Sequence, residues 1–228
     1  YTDNPTSNGL CVHDDIEELY KEMKEAHELG YQLAIHAIGD KGNRVVVDLY
    51  KRLLQESPKK DHRHRIEHVS VITPDTIKDM KELGLIASIQ PPFITTDAPL
   101  IKYRLGEKRA KFTYPFKSLV DAGILIASGS DMPVEIPDPI FGLYALCTRG
   151  GFVPEQCISI HDALKSYTIN AAFAAFEEDI KGSIEEGKLA DLVILDKNPI
   201  EVARKNPEDL KDIKIVETII RGKSVYKR

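Results

Sequence analysis

Gln32-Leu33-Ala34-Ile35-His36, Leu85-Ile86-Ala87-Ser88-Ile89 and Ile124-Leu125-Ile126-Ala127-Ser128 decide the fold. Each is a short, nearly continuous apolar run, and each follows a glycine (Gly30, Gly84, Gly123) that stops a helical stretch. A fourth segment, His64-Arg65-Ile66-Glu67-His68-Val69, is strand-like. Helical periodicity fills the intervals. Ile16, Leu19, Tyr20, Met23 and Ala26 mark a helix over 15–29; Val46, Leu49, Tyr50 and Leu53 mark another over 43–54. Thr73 and Pro74 open a third helix that ends at Leu83, and residues 115–122 form a fourth. Strands alternating with helices through short loops predict a parallel α/β sheet whose strands are buried on both faces.

Two regions leave this rhythm. Residues 90–113 contain Pro91-Pro92, Pro99 and mixed charge, and read as a long irregular active-site loop. The last third has an Ala-rich helix over 161–176 and a turn at Gly182-Ser183-Ile184-Glu185-Glu186-Gly187. Strands at 192–195 and 214–220 follow, then a closing hairpin holding Gly222 and Val225. That tail reads as part of a small β domain.

Composition excludes several classes. A net charge of −5 offers no basic face to nucleic acid or an anionic membrane. No apolar run approaches the ~20 residues of a membrane span. The polar opening lacks a secretory leader, so a cytoplasmic protein is expected; it also lacks Met, so a fragment of a longer chain is expected. Cys11, Cys147 and Cys157 match no zinc-ribbon or Cys-x-x-Cys spacing and read as reduced thiols.

The chemistry-bearing residues lie where the strands end. His36 closes the first strand, His68 the second, and Asp131 follows the fourth, with Gln90 after the strand between. C-terminal strand ends are where a parallel α/β barrel builds its active site, so residues far apart in sequence converge there. Singly, each has an ordinary structural explanation. Together, two neutral imidazoles and a carboxylate suit zinc or a similar divalent ion. Such an ion acidifies a bound water and polarises a carbonyl, and an aspartate beside it can carry the proton to the leaving group. His62 and His64 sit at the opposite end of their strand and read as structural. His13, His27 and His161 read as loop, helix-surface and helix-start residues. Arg65, Gln90 and Arg149 are candidates for substrate contact.

At these residues the sequence resembles the amidohydrolase superfamily, specifically the branch called amidohydrolase family 3. The matching segments are His36-Ala37-Ile38-Gly39-Asp40, Arg63-His64-Arg65-Ile66-Glu67-His68, Ala87-Ser88-Ile89-Gln90-Pro91, Ala127-Ser128-Gly129-Ser130-Asp131-Met132-Pro133-Val134, and Gly182 through Asp196. The resemblance implies a metal-dependent hydrolase of non-peptide C–N bonds in amide- or formamide-like small molecules. His36, His68 and Asp131 would be its ligands to a divalent metal such as zinc, with Asp131 also the catalytic proton shuttle. It further implies the C-terminal half of a (β/α)₈ TIM barrel over residues 1–178, and the C-terminal part of a composite β-sandwich over 179–228.

Family members also carry a first barrel strand ending in His-x-His and a bridging group from the fourth strand, and neither is here. A complete barrel needs about 250 residues by itself. The expected partners are therefore the missing N-terminal half, or another copy of the chain through exposed sheet edges, and the isolated chain should be inactive. The competing explanation is a non-catalytic regulatory or assembly module that kept the half-barrel scaffold. A phosphate-binding protein is disfavoured because no Gly-rich phosphate loop is present.

Overall fold

A computed structural model describes residues Tyr1–Arg228. The chain forms two compact units: residues 1–89 with 96–126, and residues 90–95 with 127–228.

In the first unit, α1 (Ile16–Glu28) starts at Asp15, whose carboxylate accepts hydrogen bonds from the Glu17 and Glu18 amides. Then come β1 (Ala34–Ala37), α2 (Asp40–Glu56), β2 (Arg65–His68), α3 (Pro74–Glu82), β3 (Ile86–Ile89), α4 (Phe93–Ala110, of which residues 93–95 are assigned to the second unit) and α5 (Phe116–Asp121). β4 (Ile126–Ser128) begins in this unit, and the chain passes into the second unit at Ala127. The strands are hydrogen-bonded in the order β1-β2-β3-β4. β1, β2 and β3 are parallel and in continuous register, Ile35 opposite Ile66 and Ile66 opposite Ala87. A sequential order without reversal is what a singly wound barrel shares; a doubly wound sheet reverses at a switch point.

The core lies where the helices cover the sheet. Val47, Tyr50 and Leu53 of α2, Ile66 of β2, Met80 of α3, Ala87 of β3 and Leu119 of α5 are fully buried. Each large side chain among them contributes roughly 1.5–3 kcal/mol of apolar burial. β1 departs from the expected doubly buried strand, because Ala34 and His36 are exposed. It has a neighbour on one side only, so its other edge and one face lie open.

The expected irregular loop over 90–113 is helical instead. Pro91 and Pro92 precede α4, whose first turn they start by accepting from the Ile94 and Thr95 amides. Gly106 breaks α4 at φ 74°, ψ 164°. Pro99 and this break remove the clean 3.6-residue stripe by which a helix is recognised in sequence.

The second unit contains α6 (Pro139–Thr148), α7 (Ile160–Tyr167), α8 (Ile169–Ala174), β5 (Leu192–Leu195), α9 (Pro199–Lys205), β6 (Ile215–Ile220) and β7 (Lys223–Lys227). The single helix expected over 161–176 is divided at Thr168, whose backbone is non-helical. β5, β6 and β7 form a separate antiparallel sheet in chain order. α6 is capped by Asp138 and buries Ile140, Leu143 and Leu146. Gly142 allows close contact with α7: a Cβ there would overlap the Tyr167 hydroxyl and lie 2.5 Å from its Cζ.

Candidate metal centre

His36 is the penultimate residue of β1 and His68 the last residue of β2. Register places His36 beside Glu67, and Ala37 beside His68. Regular alternation would therefore send the two imidazoles to opposite faces. Their ring centroids nevertheless lie 4.5 Å apart, edge to face at 73°. The backbone explains how: His68 has φ 77° and Val69 φ 52°. These left-handed residues end the pleat at the last residue of β2 and free the His68 ring from it. A non-glycine residue pays of order 1–3 kcal/mol to sit there, and such strain concentrates at functional sites. The adjoining loops are tied together by Val69 N–H to Ala37 O at 3.2 Å and Val71 N–H to Ile38 O at 2.8 Å.

Asp131 belongs to the second unit, three residues beyond β4. It is exposed, and its φ of 57° is left-handed as well. Ser128 holds the strand end by donating to Ser166 Oγ at 2.8 Å, and Ser166 donates to Ala163 O at 2.7 Å. No cluster of three or more His, Cys, Asp or Glu side chains able to hold a metal ion occurs in the structure. The first unit thus offers a pair of imidazoles. They fit a borderline divalent ion in donor type, and a complete site needs further ligands.

Of the substrate-contact candidates, Arg65 donates to Glu67 Oε1 at 2.5 Å and to Gln32 Oε1 at 3.4 Å. Gln90 is buried one residue past β3. Arg149 is fully buried, ends α6 in a left-handed conformation and donates to Phe152 O at 2.8 Å, which makes it a structural part of that turn. Burial pushes the Cys147 thiol up to about 12 and raises Cys157 as well, the opposite of an activated nucleophile. An open groove of about 630 Å³ in the second unit, lined by Asp138, Lys211, Tyr226 and Arg228 among others, contains none of the candidate residues.

The N-terminal end of β2 holds a different histidine group. His62 and His64 are buried, and so is His27, which is a core residue rather than the helix-surface residue expected. His64 Nδ1 accepts from the Leu33 amide at 3.0 Å, and its Nε2 lies 2.8 Å from His27 Nδ1. His27 Nε2 meets Ser57 O at 2.9 Å. His62 Nδ1 accepts from the His64 amide at 2.9 Å, and its Nε2 meets Leu83 O at 3.0 Å. Every ring nitrogen of the three is engaged, so none has a lone pair left for a metal. The helical spacing of α1 does reach His27 as the continuation of Tyr20 and Met23, which was the available signal for its burial.

Residues 1–226 match the amidohydrolase family. The chain belongs to that family. The protein LONG AFTER FAR-RED 3 of Arabidopsis thaliana is 37% identical over 235 residues, covering 99% of this chain and 39% of its own length. The N-substituted formamide deformylase of Arthrobacter pascens is 27% identical over 217 residues, covering 92% and 39%. Among solved structures, a metal-dependent hydrolase from Pyrococcus furiosus superposes with a TM-score of 0.78 at 35% identity, covering 88% of this chain and 40% of that one. The chain therefore spans about two fifths of the relatives it matches. As an amidohydrolase family member with hydrolase relatives, it has the expected α/β fold with a parallel sheet.

Proposed function

We propose that this chain supplies one side of the metal centre of a hydrolase that cleaves C–N bonds in small amides or formamides. The observation that carries this is the His36–His68 pair, brought to 4.5 Å at the C-terminal ends of adjacent parallel strands by a strained backbone. Both imidazoles offer neutral nitrogen donors, for which zinc is the best-suited common ion. When bound, the ion supplies Lewis acidity and lowers the pKa of water at the site. Asp131 would be the further ligand that this chain contributes, and would accept the proton of the attacking water and hand it to the leaving nitrogen. Arg65 and Gln90 contact the substrate, Arg65 with its charge balanced by Glu67.

In this proposal residues 1–178 are the second half of a (β/α)₈ barrel and 179–228 part of a β-sandwich, both completed by residues outside this sequence. Coverage of about two fifths of each relative supports that division, as does the unpaired edge of β1. The test is His68→Ala in the full-length protein: hydrolysis and bound zinc are lost while circular dichroism is unchanged. Undiminished turnover would remove His68 from the site. The 228-residue chain alone is expected to lack metal-dependent amidase activity, and any such activity would overturn the one-sided reading.

A further inference from the structure

We propose that Asn43 is the positioning residue of this centre, setting the mutual placement of His36 and His68 through the loops that follow them. The inference rests on their assignment as ligands. Asn43 lies in the first turn of α2 and is completely buried. Its Nδ2 stands within hydrogen-bond distance of four backbone carbonyls: Ala37 at 3.2 Å, Ile38 at 3.3 Å, Gly39 at 2.9 Å and Val71 at 3.0 Å. The first three belong to the turn immediately after His36. The fourth belongs to the loop after His68. One carboxamide thus clamps both loops.

Two N–H bonds are shared among four acceptors, so only a donor can occupy this position. Rotating the amide would set Oδ1 against four carbonyl oxygens; a carboxylate there would be repelled by all of them. Oδ1 itself is buried with no hydrogen-bond partner. Leaving such an atom unpaired is costly, and a residue chosen only for packing would avoid the cost. What the clamp secures is the left-handed backbone of His68 and Val69, which persists only where its surroundings over-determine it. Asn43 would touch neither ion nor substrate. It acts through the two imidazoles, as outer groups around metal ligands do.

The test compares wild type with Asn43→Ala. In metal-free chain at fixed pH, the carbon-bound ring protons of His36 and His68 should move in the NMR spectrum. Those of His27, His62 and His64, at the other end of the strands, should stay and so report an intact fold. In the full-length protein, zinc affinity should fall about 10–100-fold. Ring signals of His36 and His68 that superimpose on wild type would overturn the proposal, as would unchanged zinc affinity beside moved signals. Should the variant not fold, hydrogen exchange of the Asn43 side-chain amide in wild type decides it. Protection comparable to core backbone amides supports the clamp, and exchange as fast as a surface carboxamide overturns it. Failure of wild-type full-length protein to bind zinc would overturn the metal reading, and the metal-free spectra would still decide the role of Asn43.

Discussion

His64 shows how much a single side chain can determine. Its Nδ1 accepts from the Leu33 amide, so that nitrogen carries no proton, and the neutral ring must donate from Nε2 to His27. His27 then donates from Nε2 to the Ser57 carbonyl. Adding a proton to His64 would set an N–H against the Leu33 N–H. Burial, followed by the nearby His62, His27 and Lys59, lowers the His64 pKa to about 3, and burial lowers that of His62. Tyr50 stacks on the ring at 5.5 Å and adds to the desolvation. A depressed folded-state pKa gives stability that is complete above the unfolded value near 6.5 and is lost as pH falls through the interval toward 3. Each unit of difference corresponds to ~1.4 kcal/mol. Urea midpoints should therefore drop steeply between pH 6.5 and 4, and His64→Gln should flatten that slope; a level wild-type profile would contradict the network. The sequence indicated a structural role for His62 and His64. It did not reveal that His27 joins them: the spacing that continues Tyr20 and Met23 marks the position as buried but says nothing of its partners.

At the scale of elements, the strands were the most legible part. Three apolar runs following glycines, and the strand-like segment His64–Val69, became β1 to β4, each starting one or two residues later than the sequence suggested. Glycine punctuation and helical periodicity are local properties, so a single sequence exposes them. α4 stayed hidden because Pro99 and the break at Gly106 erase its stripe, and its helicity depends on surroundings that local pattern does not encode. α6 was hidden for the opposite reason: nearly every residue is apolar, which leaves no polar face to set a period. Its contact with α7 gives a direct test. Gly142→Ala forces a methyl group into the Tyr167 ring and should cost about 1–3 kcal/mol. Thermal unfolding of that variant, with Tyr167→Phe added to relieve the overlap with the hydroxyl, measures it. A neutral Gly142→Ala would mean that Tyr167 moves aside freely.

For the molecule as a whole, the open surfaces matter most. Val193 and Ile194 are neighbours on β5 and must face opposite sides of their sheet, yet they are 54% and 45% exposed. Val225 and Tyr226 on β7 repeat the pattern at 58% and 50%. Both faces of this three-stranded sheet are therefore accessible, and β1 leaves an unpaired edge in the other sheet. Such features invite pairing and association. Sedimentation velocity on the chain alone should show weight-average mass rising with concentration, and Val193→Lys with Val225→Lys should lower it; a concentration-independent monomer would contradict this. The candidate site was legible only in its residue types and strand-end positions. How His36 meets His68 depends on a departure from pleated geometry, and the loop clamp at Asn43 joins residues 28 positions apart. No spacing rule anticipates either.

β2 is only four residues long, with His64 just before it and His68 at its end. The foundation at one end is buried and saturated with internal bonds. The other end meets the loops that follow His36 and His68, which are held by the bonds of Asn43 and of their own backbone. A change confined to the loop after His68 should therefore leave the bonded histidines at the opposite end of the strand in place.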